Sequence, residues 1–306
     1  DIVFTLVSPL AYLYQHRGAT HSLLMLPVWA LLLAWCASRL DPQHPPWRAY
    51  YGVMALGLGI HIWGDLITSY GTQIWAPLSD ARVAWSTTFI IDLWFTGIML
   101  VGGLASFVWR RSRVPAAASL VVLLGYTGLQ WHWQQEAIDL GRAHARALGL
   151  TDARVTALPR PPLPTHWMVI VESADRYDYA LVSLSRSTLP ARPDPDAGFL
   201  TRIAAPYLPA AQAQWVTATR HGGVAEATFA REAWASGPFG FFRWFAVYPV
   251  LDRIESRDGA RCAWFRDLRF LTPGRGVWPF HYGACQRDGA WRAYEWIDEQ
   301  QRPEVR

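Results

Sequence analysis

Long apolar runs separated by short polar joints fill the chain as far as Trp131; from His132 onward charges, prolines and short alternating runs take over. Four of the apolar runs, at roughly 22–38, 49–67, 86–108 and 114–131, approach the ~20 residues that a bilayer-spanning helix needs. A fifth, 2-IVFTLVSPLAYLY-14, is too short and carries Pro9, so residues 1–21 are expected to form an interfacial or re-entrant segment. Past Trp131 the helical pattern continues through 134–150, and 154–164 reads as a proline-rich linker. Residues 166–186 alternate around a polar turn, as a β-hairpin does, and further strand-like pieces occur at 214–220, 244–255, 261–271 and 289–296. The fold class expected is an α-helical polytopic membrane domain (1–133), a helix and linker (134–164), and an extramembrane, mainly antiparallel β domain (165–306). Neither half shows an internal repeat.

Charge adds an orientation. All 28 basic residues are arginine, the net charge is only +4, and no arginine run is interleaved with aromatics, so nucleic acid is not an expected partner. Joints 39–48 and 109–113 carry Arg39, Arg48, Arg110, Arg111 and Arg113; the opposite face shows Arg17 and Arg82 near the membrane, with Arg142 and Arg146 further along. The excess of arginine marks the first face as cytoplasmic. Segment 1–21, loop 68–85 and everything after Trp131 then lie on the periplasmic side of a bacterial inner membrane. The 18 tryptophans suit such interfaces, although a soluble β domain also accommodates indoles. Asp1 is not a methionine and stands inside an apolar run, which leads us to expect chain upstream of it. Cys36 reads as a small filler in a span, whereas Cys262 and Cys285 sit in the β domain, where a position outside the cytoplasm leads us to expect a disulfide.

The candidate chemistry gathers at one membrane face. In 61-HIWGDLITSYGT-72, His61 and Asp65 are four apart and share a helix face near the periplasmic end of their span. His16 and His21, in 16-HRGATHSLL-24, reach the same side, and Gly18 lets the chain turn between them. Imidazole and carboxylate together ligate zinc and similar divalent ions. The competing reading is a solvated helix cap, with Thr20 as N-cap, beside an interhelical hydrogen-bonder. Arg17 suits either a phosphate clamp or contact with lipid headgroups. Asp92 lies in an apolar span and needs a partner, as a ligand, as a group orienting a histidine, or as a structural hydrogen-bonder. Asp80 and Arg82 read as a surface ion pair, the 194-DPD-196 motif as turns, and His166, His221 and His281 lack ligand spacing. No HExxH, GxSxG or P-loop pattern occurs, which argues against zincins, α/β-hydrolases and P-loop enzymes.

The succession 1-DIVFTLVSPLAYLYQHRGATHSLL-24, 61-HIWGDLITSYGTQIWAP-77 and 90-IIDLWFT-96 resembles the YdjM-like family, described as inner-membrane-associated, metal-dependent hydrolases. The resemblance covers about 130 residues. Family members carry a Pro-Asp-x-Asp motif ahead of the His-Arg-Gly-x-Thr-His-Ser motif; Asp1 matches its last aspartate, and the first would lie upstream. The resemblance implies a metal set of Asp1, His16, His21, His61 and Asp65, with Asp92 at a further acidic position. The His-x-x-x-Asp element is also similar to those of zinc-dependent phospholipases C and related nucleases.

The expected function is that of a membrane-embedded hydrolase, with zinc (or manganese) activating water at the interface against a lipid phosphoester or ester. Asp65 or Asp92 is the expected proton acceptor and Arg17 a substrate contact. The alternative is a non-enzymatic membrane protein with a structural metal site, whose β domain binds a protein partner. A transporter is disfavoured, because paired repeats and broken helices in matching positions are missing.

Overall fold

Six apolar and aromatic residues after Ser8, followed by Gln15, make the first helix, α1 (Pro9–Gln15), with proline at its start and the Ser8 hydroxyl accepting from the Ala11 amide at 3.0 Å. The computed structural model describes residues 8–190, 194, 196–257, 259–273, 278–298 and 302–305. Within them the chain divides into two compact units, 1–86 and 87–305.

In the first unit a single 3-10 turn (Ala19–His21) follows α1, then α2 (Leu26–Leu40) and α3 (Arg48–Leu66) pack together. Ala30 and Ala34 are fully buried at a spacing of four, the small-residue pattern that lets two apolar helices approach closely. The rest of the unit is the long loop after α3. It folds back through a Thr72–Val83 bridge and lays Ile74 over Ile62 and Leu66.

The second unit opens with α4 (Leu93–Val108) and α5 (Val114–Ala147). Gly102 is buried because a Cβ there would fall 1.9 Å from the Ser119 hydroxyl, so glycine permits the contact between these two helices. At 34 residues α5 is about 51 Å long. Its first half is apolar and largely uncovered. Its second half lies on a five-stranded sheet of β1 (Arg154–Pro159), β2 (His166–Ser173), β3 (Arg176–Ser183), β4 (Leu208–Pro209) and β5 (Val216–Thr219). Only the short β3–β4 pair is parallel. Trp167 and Val169 of β2 face Ala137 on α5, while Met168 and Ile170 face a second core with Tyr177 and Tyr248. Covered on both faces, β2 is buried at six consecutive positions.

Three short helices, α6 (Phe199–Ala204), α7 (Val224–Ala235) and α8 (Gly240–Phe245), surround the strands. The second sheet is the antiparallel meander β6 (Pro249–Arg257), β7 (Ala260–Asp267), β8 (Tyr282–Arg287) and β9 (Ala290–Glu295). Its one face packs on the aromatics of α7, α8 and the 3-10 turn between them, among them Trp234, Phe242 and Phe239. On its other face Cys262 and Cys285 are direct cross-strand partners joined as a disulfide, leaving Cys36 as the free thiol.

A helical N-terminal region and a mainly antiparallel β region therefore follow one another as the sequence pattern indicates, with four departures. By length and hydropathy, one helix, α5, is fit to cross a membrane among the described residues; α1 and α2 meet the same test only as a pair bent by 81°, and α4 is short. The run at 86–108 becomes helical only at Leu93, because the Asp92 carboxylate accepts from the Trp94 and Phe95 amides and starts the helix there. The supposed linker at 154–164 contains β1, fully paired with β2; the prolines of that stretch come at its end and after it, where the edge strand stops. The compact units part at Ser86/Thr87 rather than near residue 133, because the continuous α5 is shared between the apolar helices and the β sheet.

Gly141 marks where α5 meets the sheet: an added Cβ would lie 2.5 Å from a Val155 methyl and 2.7 Å from one of Val169. Overpacking costs about 1–3 kcal/mol and exceeds the ~1 kcal/mol that alanine normally gains over glycine in a helix. Gly141→Ala is expected to lower the thermal unfolding midpoint, while Gly125→Ala, with open space around it, leaves it unchanged or raises it.

Candidate metal centre

Asp65 stands in the last turn of α3, buried, with Oδ1 3.3 Å from the guanidinium of Arg17. Arg17 is buried as well, and its Nη1 also donates to the Asp65 carbonyl (3.1 Å) and to the Thr68 hydroxyl (2.6 Å). The Tyr70 ring lies under it at 5.1 Å. To reach this position Arg17 adopts a left-handed backbone, φ +57°, which is strained for a side chain of its size. The next residue must be small: a Cβ at Gly18 would sit 2.9 Å from the Gln15 carbonyl oxygen. The turn expected at Gly18 is thus made by Arg17 and Gly18 together.

That turn delivers His21. Its Nε2 lies 3.5 Å from Asp65 Oδ2 and 3.0 Å from the Nε2 of His61, which is itself 4.0 Å from the same oxygen. All three ligand atoms lie within 4.8 Å of one another. Thr20 Oγ1 hydrogen-bonds His21 Nδ1 at 2.9 Å, which turns Nε2 toward the cluster. Ser22, wholly buried, donates to the Ile74 and Ala76 carbonyls and accepts from the Leu24 amide at the turn that enters α2. Trp29 of α2 donates to the Ala19 carbonyl, fastening the turn from the other side. Ser22 rather than Thr20 therefore serves the helix entry, and Thr20 serves the histidine.

The arrangement fits a divalent cation. Two imidazole Nε2 atoms on a tetrahedral zinc stand roughly 3.3 Å apart, from bonds of about 2.05 Å. Asp65 Oδ2 is buried and has no hydrogen-bond partner among the described residues, although it points at both rings. Such an oxygen is costly unless a cation or a donor meets it. His16 and His21 lie outside helices α2–α5, and burial holds both imidazoles below the usual histidine range. For His16 the adjacent Arg17 acts in the same direction; for His21 Asp65 opposes it. Both rings are neutral at neutral pH, the state in which imidazole can ligate. The His61 side chain is 60% exposed against 14% for His21, so the cluster opens on one side.

The remaining sequence candidates fall elsewhere. His16 is not in the group: its ring packs 4.8 Å from that of Tyr12 and edge-on to Tyr70 at 4.8 Å. Asp1 lies outside the described residues. Arg17 does not project as a phosphate clamp, since its guanidinium is engaged with Asp65 and Thr68. Asp92 is a structural hydrogen-bonder in the second unit. Beyond capping α4 it accepts from the Tyr126 hydroxyl (2.8 Å) and from Gln130 Nε2 (2.8 Å) of α5, outside the His21–His61–Asp65 group. Arg82 donates to the Tyr70 carbonyl at 2.5 Å rather than serving as a plain surface cation. Ser22 and Thr68 were not singled out by sequence, and Thr20 only as a helix cap. The available signal was a hydroxyl one residue from His21, and another three residues past Asp65 at the helix end.

These features define a class: an apolar helical region with a His21–His61–Asp65 group of the kind that can hold a metal ion, followed in the chain by a disulfide-bearing β region. Residues 1–137, which contain the whole cluster and make up a little under half of the chain, match the family described as YdjM inner membrane protein. A similar protein is the uncharacterized protein YfhP of Bacillus subtilis (strain 168), 25% identical over 130 residues. The alignment takes in 41% of this chain and 38% of that protein. No solved structure matches.

Removing one partner of a buried ion pair costs roughly 3–5 kcal/mol, because the other charge is left unpaired. Arg17→Ala is expected to lower the thermal unfolding midpoint sharply, and Arg17→Ala/Asp65→Asn to recover much of the loss. A double variant no more stable than Arg17→Ala would show that the pair is not what holds the turn.

Proposed function

We propose that the protein is a metal-dependent hydrolase of the inner membrane, acting on a lipid phosphoester or ester at the membrane interface. The observation that carries this reading is the meeting of His21 Nε2, His61 Nε2 and the unpartnered Asp65 Oδ2 at an opening. A zinc or manganese ion held by these residues would supply a Lewis acid and a bound water of lowered pKa. The protein's own groups do the positioning. Arg17 occupies Asp65 Oδ1 and so leaves Oδ2 directed at the rings. Thr20 fixes the His21 ring. The exposed edge of His61 leaves room for a substrate.

The membrane setting rests on the family and on the apolar α5. A multi-pass topology, with α2, α3, α4 and α5 crossing and the α1–α2 bend re-entrant, is supported by the rows of exposed leucine and valine on these helices. The arginine bias of joints 39–48 and 109–113 supports a periplasmic C-terminal region. The Cys262–Cys285 bond supports it too, because disulfides persist in oxidising compartments. A second reading, a structural metal site with a β region that recruits a protein partner, uses the same ligands. It is favoured if the metal is present and no lipid is cleaved.

Metal analysis of the full chain in detergent is expected to find zinc or manganese in the wild type and none in a folded His21→Ala/His61→Ala variant. Equal metal content in both would remove the site. Metal-loaded protein is expected to hydrolyse phosphatidylethanolamine or phosphatidylglycerol in mixed micelles, with the double variant inactive. Thr20→Val is expected to weaken metal affinity by about 10–100-fold, as loss of a group that orients a ligand does, with little change in unfolding midpoint.

A further inference from the structure

A groove of about 780 Å³ runs along the second unit, bounded by Leu93 and Trp94 of α4, Leu163, Arg186, and Leu200 and Ala204 of α6. Its lining is mostly apolar. Leu93 and Trp94 are the first two residues of α4, so the groove begins where that helix begins. Further along the same helix Leu100, Val101 and Leu104 are each about two-thirds exposed. The groove is thus the upper end of an apolar surface that continues down a helix of an inner-membrane region. Leu200, which also lines the groove, is more than half exposed, as is its neighbour Phe199, on a helix of six residues, which in water is an unfavourable place for them. Arg186 is the charged residue of the lining, and its Nη1 donates to the Ala204 and Tyr207 carbonyls, fixing the end of α6.

We propose that this groove seats a phospholipid from the bilayer, its acyl chain against Leu93, Trp94, Leu163 and Leu200 and its phosphate toward Arg186. A bilayer is the occupant that the apolar continuity of α4 selects, since a lipid-facing helix surface runs directly into the groove. A guanidinium at the lip complements a phosphate, while aliphatic walls accept a chain without demanding hydrogen bonds. The inference rests on the membrane reading of α4 and α5 and is independent of the metal centre. It makes α6 a membrane-docking element of the β region.

The test uses spin labels on the full chain, in a Cys36→Ala background, reconstituted into phosphatidylethanolamine/phosphatidylglycerol nanodiscs. Labels are placed by Leu200→Cys on α6, Leu100→Cys on α4, and Val224→Cys on α7, where Val224 is 98% exposed. Oxygen, which concentrates in lipid, should relax the labels at 100 and 200 more than an aqueous nickel chelate does, with the order reversed at 224. An aqueous label at 200 beside a lipid-facing label at 100 overturns the groove while sparing the membrane reading. Aqueous labels at both positions overturn both. A label at 200 shielded from both reagents signals a protein neighbour and overturns the lipid assignment. Phosphate analysis of washed, detergent-purified protein supplies a second measure. Ala204→Trp, which fills the groove, should lose retained phospholipid; unchanged retention would count against the site.

Discussion

A carboxylate buried at a helix end has to be answered by a positive charge, and in this protein the answer decides the local chain path. Asp65 draws Arg17 inward, and Arg17 can comply only by taking a left-handed backbone. That choice places glycine next, turns the chain, and swings His21 onto the same carboxylate. The loop after α3 closes over the arrangement through hydrogen bonds from Gln73 to the carbonyls of Arg17 and Tyr14. Once Asp65 is given, the arginine, the glycine and the second histidine have little freedom left. One carboxylate thus plays two parts, one oxygen structural and the other available for ligation.

The second unit solves a comparable problem without charge. Asp92 sits among apolar residues, and every donor it needs comes from nearby: two amides of its own helix and the Tyr126 and Gln130 side chains of α5. Gln130 is in turn bonded by Thr88 through its amide oxygen. In an apolar surround such a closed set joins α4 to α5 with a direction that leucine packing alone lacks. The two aspartates that looked alike by sequence differ in one respect. Asp92 is saturated by neutral donors, whereas Asp65 retains an oxygen that has no hydrogen-bond partner among the described residues and faces the His21 and His61 imidazoles.

Much of this was legible in the residues. Apolar run length located α2, α3 and α5 to within a few positions, and alternation located the β2–β3 hairpin. The four-residue spacing of His61 and Asp65 gave two of the three members of the cluster, and the polar motif around His21 gave the third. What could not be read were properties of the assembled chain. The β1 strand was hidden because its last residue and the stretch beyond it are rich in proline, and only its ladder with β2 declares it. The role of Arg17 was hidden because a guanidinium near a membrane is as apt to face outward as inward. Which way it turns depends on Asp65, 48 residues away. The helices α7 and α8 were masked by aromatics that serve one core with the second sheet.

One further consequence comes from the unbroken course of α5. In the proposed membrane setting α5 begins among lipids and ends against a sheet, and is then a lever as well as a tether. Its lower half answers to bilayer thickness, since an apolar helix tilts in thinner membranes. Its upper half is bolted to β1 and β2 through Gly141 and Ala137, with no hinge between them. Any change of tilt is therefore handed on to the sheet as a rotation of the whole body, and the attitude of the β region becomes a mechanical reading of the membrane that holds it.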